Sequence, residues 1–348
     1  MGGQICKVFG LYGKEESEIE NEKIIKEEKI KVTQISISMN SDENGIDDMF
    51  ITEYLNYIDI LEILIFLFNN KIIFFKYPSM TRISEYENII NTMPISYINY
   101  QKNSNKLYLN YENKDFTNIY LIQNNSIKLL EEIIPLKIKD LIEISTIKII
   151  VLDNTNEFCS CFELKNKKYQ KIKTFEEDEN GNENEDYNEI YSIRKCPNTN
   201  KFFILTKKFI QVFDSQNLEL INNIYIENDD ICFINYHYFI IVKSYYKKGY
   251  SRLSLVDLKT FKILNHTCSG YDKKKICRLQ NIGNTRYFIA SEWTNVSIPL
   301  IMELDKNKIY YVKDLANYNV NFETSLYFNN TIVIGGEEQI SIFKLDIK

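Results

Sequence analysis

The chain has 348 residues, a formal net charge of −6 and a pI of about 5.3, with 44% hydrophobic and 26% charged residues. These proportions are typical of a soluble globular protein, and the acidic balance argues against nucleic-acid binding, which needs a basic surface to displace counterions from phosphates. The 7 cysteines are scattered and form no pair of CxxC units, which indicates reduced thiols in a cytoplasmic protein and not a disulfide framework.

The first residues form the most specific short motif of the chain, Met1-Gly2-Gly3-Gln4-Ile5-Cys6. After removal of the initiator Met, Gly2 offers an amino group for myristoylation, although the usual pattern has Ser or Thr where this chain has Cys6. Cys6 is in turn a candidate for palmitoylation, and two acyl chains hold a protein on a membrane more firmly than one. We predict lipidation at Gly2 and Cys6, and the alternative is an unmodified flexible tail.

Residues 1–28 form the predicted N-terminal tail. Its second half, together with the next residue, spans Lys14 to Lys29 and is rich in Glu and Lys, which favours a short helix or a solvated spacer. The following segment, Lys29 to Ser38, alternates apolar and polar residues as a β-strand does. Further on, the most apolar run is Ile58 to Phe68, far shorter than the roughly 20 residues that cross a bilayer. We interpret this run as a buried strand. The N-terminus also lacks the apolar segment of a secretory signal.

One local pattern recurs along the rest of the chain: an apolar strand that ends in a polar residue, a polar turn, and a second apolar strand. The polar residues that mark the seven copies are Lys76, Gln123, Glu163, Asp214, Asp257, Asp305 and Asp346. They lie 40 to 51 residues apart with a mean of 45, which is the period of a four-stranded propeller blade. A second apolar run precedes the marks, as at Phe202 to Leu205 and Phe239 to Val242. Each copy is therefore predicted to be an antiparallel meander, and the fold class to be all-β.

The chain ends have matching deficits. The last copy, at Asp346, ends near the last residue, so the seventh blade lacks an outer strand, whereas the strand Lys29 to Ser38 precedes the first blade. We predict that this strand completes blade seven and closes the ring. In period, strand order and closure, residues 29–348 resemble the WD40 family, which implies a seven-bladed β-propeller that binds other proteins. The match is to divergent members, because the chain has no Trp-Asp dipeptide and its only Trp is Trp293.

Two other folds are alternatives. Asn, Ile, Lys, Phe and Tyr are abundant together, as AT-rich codon usage produces, so an Ile-rich β-sandwich without a blade period is the alternative to a propeller. Within propellers, Gly335-Gly336 resembles a kelch repeat, and a kelch propeller is the alternative to the WD40 type.

The sequence predicts no catalytic, cofactor or metal site. Cys159 and Cys161 form a CxC pair that we interpret as buried packing, since alternate residues of a strand face the same side. Asp42 to Gly45 and Asp178 to Gly181 resemble part of an EF-hand loop. In the second, however, position twelve is Tyr187 instead of Glu, so we interpret both segments as solvated acidic turns.

The predicted function is a non-catalytic scaffold or adaptor that binds protein partners through the propeller faces. If the tail is acylated, the protein is held on the cytoplasmic face of a membrane. The acidic insertion from Glu176 to Glu189 is a candidate contact for a basic partner. The alternatives are an enzyme or small-molecule-binding propeller with a site at the channel mouth, and a structural subunit of a large assembly.

Overall fold

The computed structural model describes residues 30–38, 52–58, 62–68, 70–123, 126–155, 158–175, 189–197, 199–245, 250–269, 276–283, 285–292, 299–314, 324–328, 330–335 and 339–347. Within them the chain forms 28 strands and one helix, and the strands form seven four-stranded antiparallel sheets. Each sheet is one blade of a ring, which confirms the predicted seven-bladed propeller and rules out the stacked sheets of a β-sandwich.

The blades follow one another along the chain. Blade 1 comprises β2 (Thr52–Ile58), β3 (Ile63–Phe68), β4 (Lys71–Lys76) and β5 (Thr81–Arg82), and blade 2 comprises β6 (Ile95–Gln101), β7 (Lys106–Tyr111), β8 (Thr117–Gln123) and β9 (Ser126–Ile134). Blade 3 comprises β10 (Ile138–Glu143), β11 (Lys148–Asp153), β12 (Cys159–Lys165) and β13 (Lys168–Phe175), and blade 4 comprises β14 (Ile190–Lys195), β15 (Lys201–Thr206), β16 (Phe209–Asp214) and β17 (Leu220–Tyr225). Blade 5 comprises β18 (Asp230–Ile234), β19 (Tyr238–Tyr245), β20 (Tyr250–Asp257) and β21 (Ile263–Ser269), and blade 6 comprises β22 (Ile276–Asn281), β23 (Tyr287–Glu292), β24 (Pro299–Asp305) and β25 (Lys308–Asp314). Blade 7 comprises β26 (Thr324–Phe328), β27 (Thr331–Gly335), β28 (Gln339–Ile347) and, as its outer strand, β1 (Ile30–Ser38). First strands of neighbouring blades contact each other, so they surround the centre and the fourth strands form the rim.

The ring closes as the sequence predicted. Strand β1 pairs antiparallel with β28 along its whole length, from Ile30 opposite Ile347 to Ser38 opposite Gln339. Blade 7 therefore takes three strands from the C-terminal end of the chain and its outer strand from the N-terminal side. This exchange ties the two ends of the ring together and covers the edge that β28 would otherwise expose.

The residues that marked the sequence repeat all lie in the third strand of a blade. The reason is visible at the two clearest copies. Asp257 Oδ1 accepts the backbone N–H groups of Lys259 at 3.1 Å and of Thr260 at 2.6 Å. Asp214 binds the N–H groups two and three residues further on in the same way. The marked Asp therefore stabilises the turn between the third and fourth strands, and the same turn calls for the same residue in successive blades.

Blade 1 departs from the prediction, which placed no helix in this part of the chain. Its outer strand β5 has two residues, and helix α1 (Ser84–Ile90) follows it. The Glu87 carboxylate accepts the N–H of Phe74 at 3.5 Å, and the Asn91 side chain accepts the N–H of Ile72 and donates to its carbonyl, both at 2.8 Å. Side chains of the helix and of its C-terminal cap thus replace the backbone partners that a longer outer strand would supply to β4.

The core lies between the blades. Each large apolar cluster draws its residues from two neighbouring blades, so every blade is buried on both of its faces. Cys159 and Cys161 both lie in the cluster between blades 3 and 4, fully buried, which confirms that the CxC pair packs on one face of its strand. This radial packing holds seven small sheets in one rigid ring.

Candidate protein-binding groove between blades 2 and 3

The two faces of the ring differ in their connections. Connections from first to second and from third to fourth strands emerge on one face, which we call the turn face. Connections from second to third strands and from blade to blade emerge on the other, the loop face. Of the non-glycine residues described with positive φ, all except Asn70 lie in turn-face connections. The described turn-face connections are thus tight turns, and of the acidic insertion only Glu189 is described.

A groove of about 300 Å³ opens on the loop face between blades 2 and 3. Its walls come from the β9–β10 connection and from three strands of blade 3: Pro135, Leu136, Val151, Asp153, Phe158, Ser160, Phe162 and Lys171. Val151 and Phe162 also belong to the apolar cluster between blades 2 and 3, with Leu136 packed against it. The floor of the groove is therefore a continuation of the core.

Phe158 forms the exposed apolar wall of the groove. The residue is 52% exposed, although it directly precedes residues that build the core of blade 3. The Asp153 N–H donates to the Phe158 carbonyl at 3.2 Å, and the Asp153 carboxylate accepts the Thr155 hydroxyl at 2.8 Å and the Phe158 N–H at 3.5 Å. The carboxylate of the groove is thus engaged in the turn that positions the aromatic ring.

Two other polar groups that line the groove are less engaged. Lys171 is exposed and has no ion-pair partner among the described residues. Ser160 makes only a long contact, 3.5 Å from its Oγ to Oγ1 of Thr174. The groove therefore presents one aromatic ring and one cation to a ligand above an apolar floor, whereas the Ser160 hydroxyl is largely buried.

Hydrogen bonds beneath the turn face tie blade 2 to blade 3. Glu143 of β10 is buried, and its Oε1 accepts the hydroxyls of Ser104 at 2.6 Å and Tyr108 at 2.7 Å, both from blade 2. Burial raises the pKa of Glu143 above its usual value, an effect that these two donors and nearby lysines offset only in part. Glu143 and Tyr108 are both buried, so this hydrogen bond holds the two blades together.

A second buried contact joins the same blades nearer the rim. Lys106 Nζ lies 2.9 Å from the Glu132 carboxylate and 3.5 Å from the hydroxyl of Tyr169, which belongs to blade 3. Burial also raises the pKa of the Tyr169 hydroxyl, so the phenol stays protonated at neutral pH. The two contacts join blades 2 and 3 to each other.

The first strands carry a chain of charges around the centre. Arg194 lies 3.2 Å from Asp140 of blade 3 and 3.4 Å from Asp230 of blade 5. Asp140 also accepts the Ile193 N–H, and Asp230 accepts the Leu279 N–H of blade 6, both at 3.0 Å. These carboxylates are occupied by backbone amides and an arginine, and their arrangement is that of braces between blades 3 to 6 and not of an acid–base pair.

The thiols that the structure describes are not activated. Burial raises the pKa of Cys161 to about 11 and holds that of Cys159 well above its usual range. Among the described residues, no three His, Cys, Asp or Glu side chains come close enough to hold a metal ion. In the same part of the chain, no helix combines the length and the apolar character that crossing a bilayer requires.

Several residues singled out in the sequence lie outside the described ranges. They include the predicted lipidation sites Gly2 and Cys6 and both acidic turns, and their predictions stay predictions. Conversely, no residue of the groove was predicted from the sequence as part of a binding site. Its one local signal is an aromatic residue, Phe158, placed where a polar turn returns to an apolar strand, and that pattern also occurs at buried positions.

Seven four-stranded meanders with an exchanged closing strand define the chain as a seven-bladed β-propeller of the WD40-like type. No family model matches the chain, and no curated protein matches it. Among solved structures, it is similar to a chain of the "Crystal Structure of Mitotic Checkpoint Complex", with a TM-score of 0.64 and 8% identity over 88% of this chain and 92% of that one. At this identity the likeness shows the fold alone. Because 1051 chains of solved structures share it, the fold by itself does not select a function.

Proposed function

We propose that the protein is a non-catalytic scaffold that binds partner proteins on its loop face, with the groove between blades 2 and 3 as one binding site. The observation that carries this proposal is the exposed ring of Phe158 in a concave, apolar-floored site. Propellers of this shape are typical of protein-interaction scaffolds, and the similar solved chain comes from a structure titled as a complex.

The construction of the groove favours binding. A partially exposed aromatic ring beside a cavity is the type of residue that supplies much of the energy in protein interfaces. Here its backbone is fixed by Asp153, and blades 2 and 3 are joined by buried hydrogen bonds towards the turn face. A preformed site loses little conformational entropy when a partner binds, so a small groove can bind usefully.

Affinity purification of the full chain from its native cells tests the proposal, with Phe158→Ala as the variant. The matched control is Tyr225→Ala, because Tyr225 is an aromatic residue at the rim of blade 4 that is 78% exposed. We expect Phe158→Ala to lose at least one partner that wild type and Tyr225→Ala retain. Identical partner sets for all three proteins would contradict the assignment of the groove.

We further propose that the scaffold is cytoplasmic and attached to a membrane through acyl groups on Gly2 and Cys6. The support is the N-terminal motif alone. Mass spectrometry of the N-terminal peptide from native material is expected to show a myristoyl group on Gly2 and a thioester-linked chain on Cys6. Gly2→Ala should remove both chains and Cys6→Ser only the second, whereas an unmodified wild-type peptide would end the membrane proposal.

A further inference from the structure

We infer that the groove between blades 2 and 3 recognises an acidic peptide segment that inserts one bulky apolar side chain. This inference rests on the proposed function, because it names the chemistry of the partner at that site. It starts from the size of the groove, about 300 Å³, which is at the lower end of ligand pockets. That volume suits one large side chain with its flanking backbone and not a folded domain.

The apolar part of the ligand follows from the floor. Leu136, Val151 and Phe162 line it and continue into the core between the blades, while Phe158 covers one side. An aliphatic or aromatic side chain placed there removes its own surface and part of the exposed Phe158 ring from water. The favourable contribution is non-directional, so it selects a bulky apolar residue without selecting one type.

The charge of the ligand follows from the lysines of blade 3. Most of those along its outer edge are already engaged: Lys165 with Glu163 at 2.7 Å, and Lys167 with Glu131 at 2.8 Å. Lys173 donates to the carbonyl of Leu218 in the next blade. Lys171, which lines the groove, has no such partner among the described residues.

An anionic side chain next to the apolar residue of the ligand would complete this arrangement. The carboxylate of the groove, Asp153, faces its own turn through Thr155 and Phe158, so it competes little for the lysine. A carboxylate of the ligand can then form a charge-assisted hydrogen bond with Lys171. The ligand is thus complementary to the groove although the whole protein has a net charge of −6.

A peptide fits these features better than a single-stranded nucleic acid does. An aromatic ring beside a lysine also suits a stacked base, but such binding depends on a track of cations that follows successive phosphates. The groove contributes one lysine and an enclosed apolar floor. One anion next to one apolar side chain is therefore the chemistry that uses all of its surfaces.

The experiment uses the full-length protein and a fluorescein-labelled peptide with one central Leu flanked by Glu residues, read by fluorescence anisotropy. Reference peptides replace the Leu by Ser or the Glu residues by Lys. We expect wild type to bind the Leu–Glu peptide more tightly than either reference. Lys171→Glu should weaken this binding about fivefold, the worth of one charge-assisted contact, and should favour the Lys peptide. Phe158→Ala should weaken it about tenfold.

Lys259→Glu is the matched control, since Lys259 is an exposed lysine on the turn face, and its affinity should equal that of wild type. An equal loss for Lys259→Glu and Lys171→Glu would overturn the inference, because it would reduce the effect to net charge. Displacement of the peptide by an oligothymidylate that binds more tightly and also depends on Lys171 would overturn it in favour of nucleic acid. If cellular partners depend on Phe158 but no Leu–Glu peptide binds, the scaffold proposal stands and the peptide chemistry is wrong.

Discussion

The turn face and the loop face of the propeller follow opposite rules. On the turn face the same chemistry recurs from blade to blade, as in the Asp turns at Asp214 and Asp257. Two-residue turns with positive φ join the third and fourth strands at Asn166-Lys167 and at Lys306-Asn307. Such turns leave little choice of residue or length, because their backbone twist must match that of the strands.

The loop face has no comparable repetition. Blade-to-blade connections range from residues 135–137, of which Pro135 and Leu136 line the groove, to residues 83–94, which contain α1. These connections need only span from one rim to the next inner strand, so they are free to vary. Repeated residues in this protein therefore reflect strand and turn geometry, whereas the candidate binding residues lie in connections that differ from blade to blade.

The largest expected effect tests the ring that both faces share. Deleting residues 1–38 removes β1 and exposes the whole edge of β28, so we expect aggregation and loss of cooperative unfolding. Size-exclusion chromatography with light scattering and a thermal melt measure this. Deletion of residues 1–28 is the control, because it keeps β1. A monomer of unchanged melting temperature after removal of residues 1–38 would show that closure does not stabilise the ring.

The next effect concerns the braces of the inner strands. Asp230→Ala leaves the N–H groups of Ile231 and Leu279 without their acceptor and removes one partner of Arg194. We expect a loss of about 3 kcal/mol in the free energy of unfolding, measured by urea titration. Asp115→Ala, at an exposed carboxylate, should change it by less than about 0.5 kcal/mol. Equal effects of the two substitutions would show that Asp230 does not brace the inner strands.

A smaller effect tests whether the turns after the third strands of blades 4 and 5 are stabilised in the same way. Asp214→Ala should cost about 1 kcal/mol, because it removes two backbone hydrogen bonds from an exposed turn, and Asp257→Ala should cost somewhat more, because it also removes the hydrogen bond from the Thr260 hydroxyl. Hydrogen bonds from Thr260, first by its hydroxyl, lower the pKa of Asp257 below its ordinary 3.8. The stabilisation is therefore present above pH 3.8 and is lost as pH falls through the lowered pKa. Urea titrations of both variants at pH 7, and of Asp257→Ala between pH 2 and pH 7, measure the costs; an unchanged stability of Asp214→Ala would argue against a common turn.

The smallest effect concerns Glu143, the buried carboxylate beneath the turn face. Burial raises the pKa of Glu143 above its ordinary 4.5, so its contribution to stability is fully present below pH 4.5 and is lost as pH rises through the raised value. Glu143→Gln keeps an oxygen that accepts from Ser104 and Tyr108 without carrying a charge. At pH 7 we expect the variant to be as stable as wild type or more stable by about 1 kcal/mol at most. Urea titrations at pH 4 and pH 7 measure the difference, and a strongly destabilised variant at pH 7 would mean that the charge itself is needed.

Where the sequence analysis succeeded, the signal came from short-range geometry. Asp214 and Asp257 were visible because each fits the turn that follows its third strand, and β1 was visible because apolar and polar residues alternate along most of it. Helix α1 was missed because seven residues are too few to show a helical period, and because Glu87 and Asn91 act by reaching a neighbouring strand. The groove was missed because its lining residues meet only in the folded ring: Pro135 and Lys171 are 36 residues apart in the sequence.

By itself the sequence determined the all-β class, the blade period and the strand that closes the ring, because alternation and turn chemistry act between residues that are neighbours along the chain. Tertiary structure alone decided which residues face a partner. Phe158 is exposed and Phe162 is buried within one continuous stretch of sequence, and the difference depends on where blade 2 ends against blade 3. Burial is set by contacts across the ring, and local sequence does not encode those contacts residue by residue.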